Sequence, residues 1–253
     1  METTKNRSGK VFSNDRWDLY EEVTDFYGND IPVSFARPRQ GYTDKEDRTE
    51  FPQIYHDCDI YRMDWNCYSI DMTVPKRIAF SFFNEFEKWA EEGKGLYLWS
   101  KTPGSGKTFL SACIAKSVML RTQKLVKYIT PTDYMDKVSD KYNAKDAYYD
   151  PAKKYRECSL LVLDDLGTQL KSDWHNTEIF RLIDCRSSNG LPTIITSNYA
   201  PEQLPVDERT RNRIMKASIV VHMPEESIRS KKAAAEQDKY LNKILGGMSN
   251  ENK

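Results

Sequence analysis

Leu96-Tyr97-Leu98-Trp99-Ser100-Lys101-Thr102-Pro103-Gly104-Ser105-Gly106-Lys107-Thr108 is the stretch that decides the fold. A short apolar run enters a glycine-containing loop, and a long helical pattern from Lys107 to Leu120 follows at once. Strand, loop and helix in that order gather backbone N–H groups around an anion. Residues 101–108 match G-x-x-x-x-G-K-[ST] except at the first position, where Lys101 stands in place of glycine. The physics survives that change. Gly104 and Gly106 let the chain curl without a Cβ in the way, and the start of the following helix adds its dipole and free N–H groups. Pro103, Gly104, Ser105 and Gly106 are expected to line a triphosphate. Lys107 is expected to reach its β- and γ-phosphates, and the Thr108 hydroxyl to ligate Mg²⁺. The predicted cofactors are therefore ATP and Mg²⁺. Lys101 either adds charge near the phosphates or tolerates a left-handed backbone at some cost.

Downstream, Leu160-Leu161-Val162-Leu163 predicts a fully buried strand, and two acids, Asp164 and Asp165, stand at its carboxyl end. Ligands of open α/β sheets bind outside that end of the strands. Asp164 is expected to hold the Mg²⁺ shell and Asp165 to orient or deprotonate an attacking water. The plainer alternative makes one acid the cap of the following turn. Pro192-Thr193-Ile194-Ile195-Thr196-Ser197-Asn198 ends a second buried strand in polar groups. Asn198 offers a donor and an acceptor to a water near the γ-phosphate, a turn asparagine being the alternative. Arg209, Arg211 and Arg213 precede a fifth strand, and Arg229 lies in the last helical pattern. An arginine supplied to a transferring phosphate is worth ~10³–10⁵ in rate, although a solvated surface role is the default for each of these alone.

The 253 residues hold one α/β core plus a smaller appendage. Thirty-eight Lys and Arg balance 38 Asp and Glu, so no global field announces a nucleic-acid partner, and such binding must rest on local patches. Cys58, Cys67, Cys113, Cys158 and Cys185 form no C-x-x-C pair and no metal-ligand spacing, which predicts free thiols in a reducing compartment. No run approaches the ~18 apolar residues that span a bilayer, and the start METTKNRSGK is polar. The expected location is cytoplasmic.

Ala79, Phe82, Phe83, Phe86, Trp89 and Ala90 trace one face of a helix predicted over Val74–Glu92. Strands are predicted at Leu96–Trp99, Leu125–Ile129, Leu160–Leu163, Thr193–Thr196 and Ile219–His222, with helical patterns between them. Alternation of that kind implies a parallel sheet covered on both faces. Pro224 is expected to open a last helix closed by Gly246 and Gly247. Residues 1–50 are rich in charge and turn formers and read as an extension set off from a domain at 51–253. Within it, Trp17, Tyr20, Val23 and Tyr27 predict one short amphipathic helix, packed on its own core or docking a partner, and residues 36–50 read as a linker.

The run Leu161-Val162-Leu163-Asp164-Asp165-Leu166-Gly167, the run Pro192–Asn198 and the helix Glu178-Ile179-Phe180-Arg181-Leu182-Ile183-Asp184-Cys185-Arg186 resemble the DnaC/DnaI helicase loaders. They are similar also to the related IstB transposition ATPases. All are AAA+ proteins, and the likeness covers about residues 51–235. It implies a parallel five-stranded P-loop sheet of the AAA+ (ASCE) type flanked by helices, with no full lid domain and a small N-terminal extension. It makes Lys107 and Thr108 the Walker A residues, Asp164 and Asp165 the Walker B pair, and Asn198 sensor 1. Arg213 aligns with an arginine finger acting on ATP of a neighbouring subunit, a register that Arg211 also fits, and Arg229 aligns with sensor 2. A finger in trans implies a head-to-tail homo-oligomer, ring or spiral.

The same resemblance implies a DnaB-type replicative helicase as partner, gripped by residues 1–50, and single-stranded DNA contacted between the Walker motifs. There Lys137, Lys141, Lys145, Lys153 and Lys154 interleave with Tyr134, Tyr142, Tyr148, Tyr149 and Tyr155. Lysines track phosphates and tyrosines stack bases, but Asp140, Asp146 and Asp150 dilute the patch and leave a solvated helix and loop as the alternative. The implied function is ATP-dependent loading of the helicase onto single-stranded DNA in replication, with hydrolysis as a switch. An IstB-like ATPase that coats duplex DNA for a transposase is the second reading. Balanced charge disfavours it, since such a filament gains by neutralising phosphates.

Overall fold

The computed structural model describes residues 9–13, 17–22, 33–38, 49–143, 149–168 and 172–231, with separate helical positions beyond these as far as 244. The first three segments are strands, β1 (Gly9–Ser13), β2 (Trp17–Glu22) and β3 (Val33–Pro38), paired antiparallel in the order β1-β2-β3. The helix expected on Trp17 and Tyr20 is thus corrected to a strand. Trp-Asp-Leu-Tyr-Glu-Glu satisfies a two-residue alternation at Trp17 and Leu19 as well as a helical one, and aromatic residues favour a pleated surface once partner strands exist. Val23 and Tyr27 lie outside the described residues, as does the linker from 39 to 48, whereas residues 36–38 belong to β3.

The predicted helix over Val74–Glu92 is two helices, α1 (Thr73–Asn84) and α2 (Phe86–Glu91), broken at Glu85 with φ −114° and ψ 29°. The break lets Phe86 and Trp89 turn back onto Phe82, with ring centroids 5.7 and 5.0 Å away. Then follow β4 (Gly95–Trp99), α3 (Lys107–Thr122), β5 (Val126–Ile129), α4 (Pro131–Asn143), α5 (Lys153–Glu157) and β6 (Leu160–Leu163). The order closes with α6 (Asp173–Ser188), β7 (Thr193–Ser197), α7 (Glu208–Ala217) and β8 (Ser218–His222). The last helix begins at 228, not at Pro224, and Gly246 and Gly247 lie outside the described residues.

Five strands form one all-parallel sheet in the order β5-β6-β7-β4-β8. Alternate residues of each strand feed opposite layers. Leu96, Leu98, Leu160 and Val162 face a core built with α1, α3 and residues 51–72, while Tyr97, Leu161, Leu163 and Ile195 face one built with α4, α5, α6 and α7. Burial on both faces is why these strands read as unbroken apolar runs. All five carboxyl ends reach one rim, and β7 separates the strand that enters the P-loop from the strand that carries the acids.

Arg186, on α6, is fully buried and ties the amino ends of this sheet together. Its guanidinium donates to Thr193 Oγ1 (2.9 Å) and to the carbonyls of Tyr155 (2.8 Å), Cys158 (3.0 Å) and Pro192 (2.7 Å). Burial pushes its pKa below the ordinary arginine range. Arg186→Met leaves several buried acceptors unpaired, at about 3 kcal/mol or more. The expected result is a thermal midpoint lowered by roughly 10 °C; an unchanged midpoint in calorimetry would remove this structural role.

Candidate nucleotide site

Gly106 precedes α3 at φ 94° and Gly104 sits at φ 79°, both in the left-handed region. A Cβ on Gly106 would meet the Tyr68 hydroxyl at 2.4 Å, and one on Gly104 would meet Ser227 Oγ at 2.7 Å. Glycine is therefore required twice, by backbone angle and by space. Tyr68 donates to the Ser105 carbonyl at 3.0 Å and props the loop from beneath. Lys101 is not among the residues with positive φ, so its replacement of glycine carries no left-handed cost.

The other side of the loop is held by residues 224–229. Glu225 accepts from the N–H groups of Lys101 (3.0 Å) and Thr102 (2.9 Å), and from the hydroxyls of Thr102 (2.8 Å) and Ser100 (3.1 Å). His222 Nε2 pairs with it at 2.9 Å. Burial works against its charge, but the bonds from His222, Lys101, Thr102 and Ser100 prevail and lower its pKa to about 2. The N–H groups of Ile228 and Arg229 both point at the Gly104 carbonyl, at 3.0 and 3.3 Å. Arg229, expected at the phosphates as sensor 2, thus meets the loop through its backbone.

Lys107 is buried, and its Nζ donates to the carbonyls of Ser100 (3.2 Å) and Thr102 (3.2 Å) and to Ser105 Oγ (3.1 Å). All three acceptors are neutral. Burial pushes the ammonium below the ordinary lysine range, against the pull of Asp165, Glu225 and Asp164. A buried cation on neutral acceptors inside a glycine cradle fits a phosphate chain.

Asp164, at the tip of β6, is buried and accepts from Thr108 Oγ1 (2.8 Å), Thr196 Oγ1 (2.6 Å) and the Tyr128 hydroxyl (2.6 Å). The two residues expected to hold Mg²⁺, Thr108 and Asp164, are therefore in contact. Among the described residues no three His, Cys, Asp or Glu side chains cluster as a metal site. Mg²⁺ typically takes one or two protein groups and completes its shell with phosphates and water. Asp165 has φ 62°, unusual for a residue with a Cβ, and its N–H donates to Thr196 Oγ1 at 2.8 Å. Its carboxylate accepts from Asn198 Nδ2 (3.1 Å) and Thr168 Oγ1 (3.2 Å). Burial, then the Asp164 charge, raises the Asp165 pKa above the ordinary carboxylate value. Asp165 and Asn198, assigned separately to the water, meet in one hydrogen bond.

The arginines of α7 lie apart from this cluster. Arg209 stacks on Phe180, Arg211 Nη2 donates to the carbonyls of Leu204 (3.0 Å) and Val206 (3.3 Å), and Arg213 Nε lies 2.6 Å from Asp184 Oδ1. The lysine–tyrosine patch needs correction. Tyr134 and Tyr155 are buried against each other, ring centroids 6.2 Å apart, because they fill the core under α4 and α5 and offer no face to a base. Lys141 pairs with Asp150, Lys153 with Glu157 and Lys154 with Glu50. Tyr142 and Tyr149 are exposed, and Lys145 and Tyr148 lie outside the described residues. Sequence reading missed Tyr68, Tyr128, Thr196 and Glu225. Thr196 and Glu225 carried one signal, since each is a polar residue at or just past the carboxyl end of a predicted strand.

A parallel sheet in this order, with a glycine cradle at one strand end and paired acids at another, defines a P-loop domain of the AAA+ class. The chain belongs to the family of the bacterial DnaA ATPase domain, whose profile matches residues 68–221. It is 29% identical over 140 residues to the replicative helicase loader DnaI of Bacillus subtilis, covering 53% of this chain and 44% of DnaI. It is 31% identical over 121 residues to the replicative helicase loader DnaC of Escherichia coli K12, covering 47% of this chain and 49% of DnaC. The chain thus spans about half the length of the curated relatives it matches. The crystal structure of a DnaC helicase loader shares the fold with a TM-score of 0.55 at 24% identity, over 68% of this chain and 100% of that one. Among the described residues no helix is long and apolar enough to cross a membrane.

Two outcomes follow for Glu225. Glu225→Gln cannot keep all five donors satisfied, and ATP affinity is expected to fall about tenfold; equal affinity of both proteins in a fluorescence titration would exclude Glu225 from shaping the loop. Its folded pKa, about 2, lies below the ordinary 4.5, so its stabilising effect is complete above 4.5 and fades as pH falls toward 2. Urea midpoints are expected to drop more steeply in the parent than in Glu225→Gln across that window.

Proposed function

We propose that this chain is an ATP-controlled loader of a DnaB-type replicative helicase onto single-stranded DNA, with hydrolysis serving as the switch. The observation that carries the reading is the joined rim: a buried Lys107 on neutral acceptors, and a Thr108–Asp164 contact of 2.8 Å beside a carboxylate held by Asn198. The likeness to DnaI and DnaC supplies the partner class. In this reading residues 1–50 grip the helicase, and the protein works in the cytoplasm as a head-to-tail homo-oligomer.

Lys107, Ser105 and the amide N–H groups of residues 104–108 bind and orient the triphosphate. Thr108 and Asp164 hold Mg²⁺, which when bound neutralises charge that develops on the phosphates. Asp165, its basicity raised by burial, takes or orients the proton of the attacking water, and Asn198 fixes the carboxylate that does so. Arg213 is the favoured finger. Its side chain is 44% exposed, whereas Arg211 is occupied by backbone carbonyls. Tyr142, Tyr149 and Lys137 are the residues left to meet single-stranded DNA.

Lys107→Ala is expected to abolish ATP binding. Asp165→Asn should keep binding and slow hydrolysis at least ~10²-fold. Arg213→Ala should keep binding and lose hydrolysis by ~10³-fold or more; equal loss of binding in the Lys107 and Arg213 variants would sink a finger acting in trans. The full chain should co-purify with a DnaB-type helicase in the presence of ATP and Mg²⁺. Tight duplex-DNA binding with no helicase capture would overturn the loader reading in favour of a transposase helper.

A further inference from the structure

Asp164 is gripped from both neighbouring strands by hydroxyls that the nucleotide motifs do not assign. On one side β5 supplies Tyr128, whose hydroxyl donates to Oδ2 at 2.6 Å, and the Ile129 carbonyl, which accepts from the Asp164 N–H at 3.0 Å. On the other side β7 supplies Thr196. Its Oγ1 donates to Asp164 Oδ1 at 2.6 Å while accepting from the Asp165 N–H at 2.8 Å, and its carbonyl accepts from the Leu166 N–H at 2.8 Å. One hydroxyl thus fixes the direction of the first acid and satisfies the amide of the second, which lies in the left-handed region. Tyr128 is buried, its ring packed on Phe51 with centroids 5.1 Å apart, so the phenol has no freedom to swing away.

A carboxylate has about four acceptor positions, and three of these are filled here. The third donor is Thr108, the residue the P-loop motif gives to Mg²⁺; its hydroxyl proton goes to Asp164, which leaves its oxygen lone pairs for the cation. The nucleotide motifs give Tyr128 and Thr196 no part in holding the cation, so both are left to hold the acids. Resting on the nucleotide-site reading above, we propose that Tyr128 and Thr196 are positioning residues for Asp164 and set how tightly the site takes Mg²⁺ with nucleotide. Groups that orient metal-holding residues typically contribute 10–100-fold in metal affinity.

The test is a Mg²⁺ titration of ATP binding to the full chain, followed with a fluorescent ATP analogue. Tyr128→Phe keeps the ring and loses only the donor; Thr196→Val keeps the shape and loses both bonds; Thr196→Ser restores the hydroxyl. The half-saturating Mg²⁺ concentration is expected to rise about tenfold in Tyr128→Phe and Thr196→Val and to return to the parent value in Thr196→Ser. ADP affinity in EDTA is expected to stay at the parent value in all three. A parent-like Mg²⁺ requirement in Tyr128→Phe overturns the proposal even if Thr196→Val fails to fold. Loss of ADP affinity in EDTA matching the Mg²⁺ effect also overturns it, since that pattern marks general damage to the loop. Absence of Mg²⁺-dependent binding in the parent is a different failure and strikes the nucleotide site itself.

Discussion

Two opposite charges, the Lys107 ammonium and the Asp164 carboxylate, are buried at the rim of an apolar sheet without forming an ion pair with each other. Burying a charge on these terms is costly unless every donor or acceptor it carries is engaged. Much of the surrounding structure answers that constraint. Three oxygens receive the ammonium, and three hydroxyls serve the carboxylate. These bonds close one polar network at the rim. Its dipoles are fixed in advance, so little reorganisation is needed where charge develops on a phosphate.

The strand order makes that network possible. Because β7 lies between β4 and β6, its end faces the P-loop on one flank and the acids on the other. Thr196 and Asn198 bind Asp164 and Asp165, while the Ser197 carbonyl accepts from the Ser100 N–H at 3.3 Å. A change at the phosphates therefore has a short covalent and hydrogen-bonded route to the acids. It has a second route outward, since Glu225, Ile228 and Arg229 bond directly to the loop and lead into the C-terminal helix. The loop and the start of that helix are thus joined by direct hydrogen bonds.

The sheet was legible in the sequence because burial on both faces produces uninterrupted apolar runs; all five strands fall within a residue or so of their predicted limits. The loop was legible because glycine spacing is a backbone requirement that tertiary context does not alter. Tyr128 was not, since its role exists only through the register that sets β5 beside β6. Tyr134 and Tyr155 were open to misreading for the opposite reason: a basic, aromatic segment has the same composition whether its tyrosines face a core or a solvent groove. β2 failed on period, because Trp17 and Tyr20 fit a helix face and the alternation of its neighbours fits a strand.

The three arginines of α7 differ in what it costs to redeploy them, and that difference bears on the proposed finger. Arg211 spans two backbone carbonyls from a partly buried position, so withdrawing it breaks its bonds to Leu204 and Val206, of which Leu204 keeps a second donor in the Val206 N–H. Arg209 lies on the Phe180 ring, where part of its benefit is packing. Arg213 is held by Asp184, and both side chains are more than a third exposed. Such a pair contributes about 0–1 kcal/mol, whereas a finger's effect on phosphoryl transfer amounts to several kcal/mol. The Arg213–Asp184 pair is thus the least costly of the three contacts to give up, which is why Arg213 is the finger favoured in the proposal above.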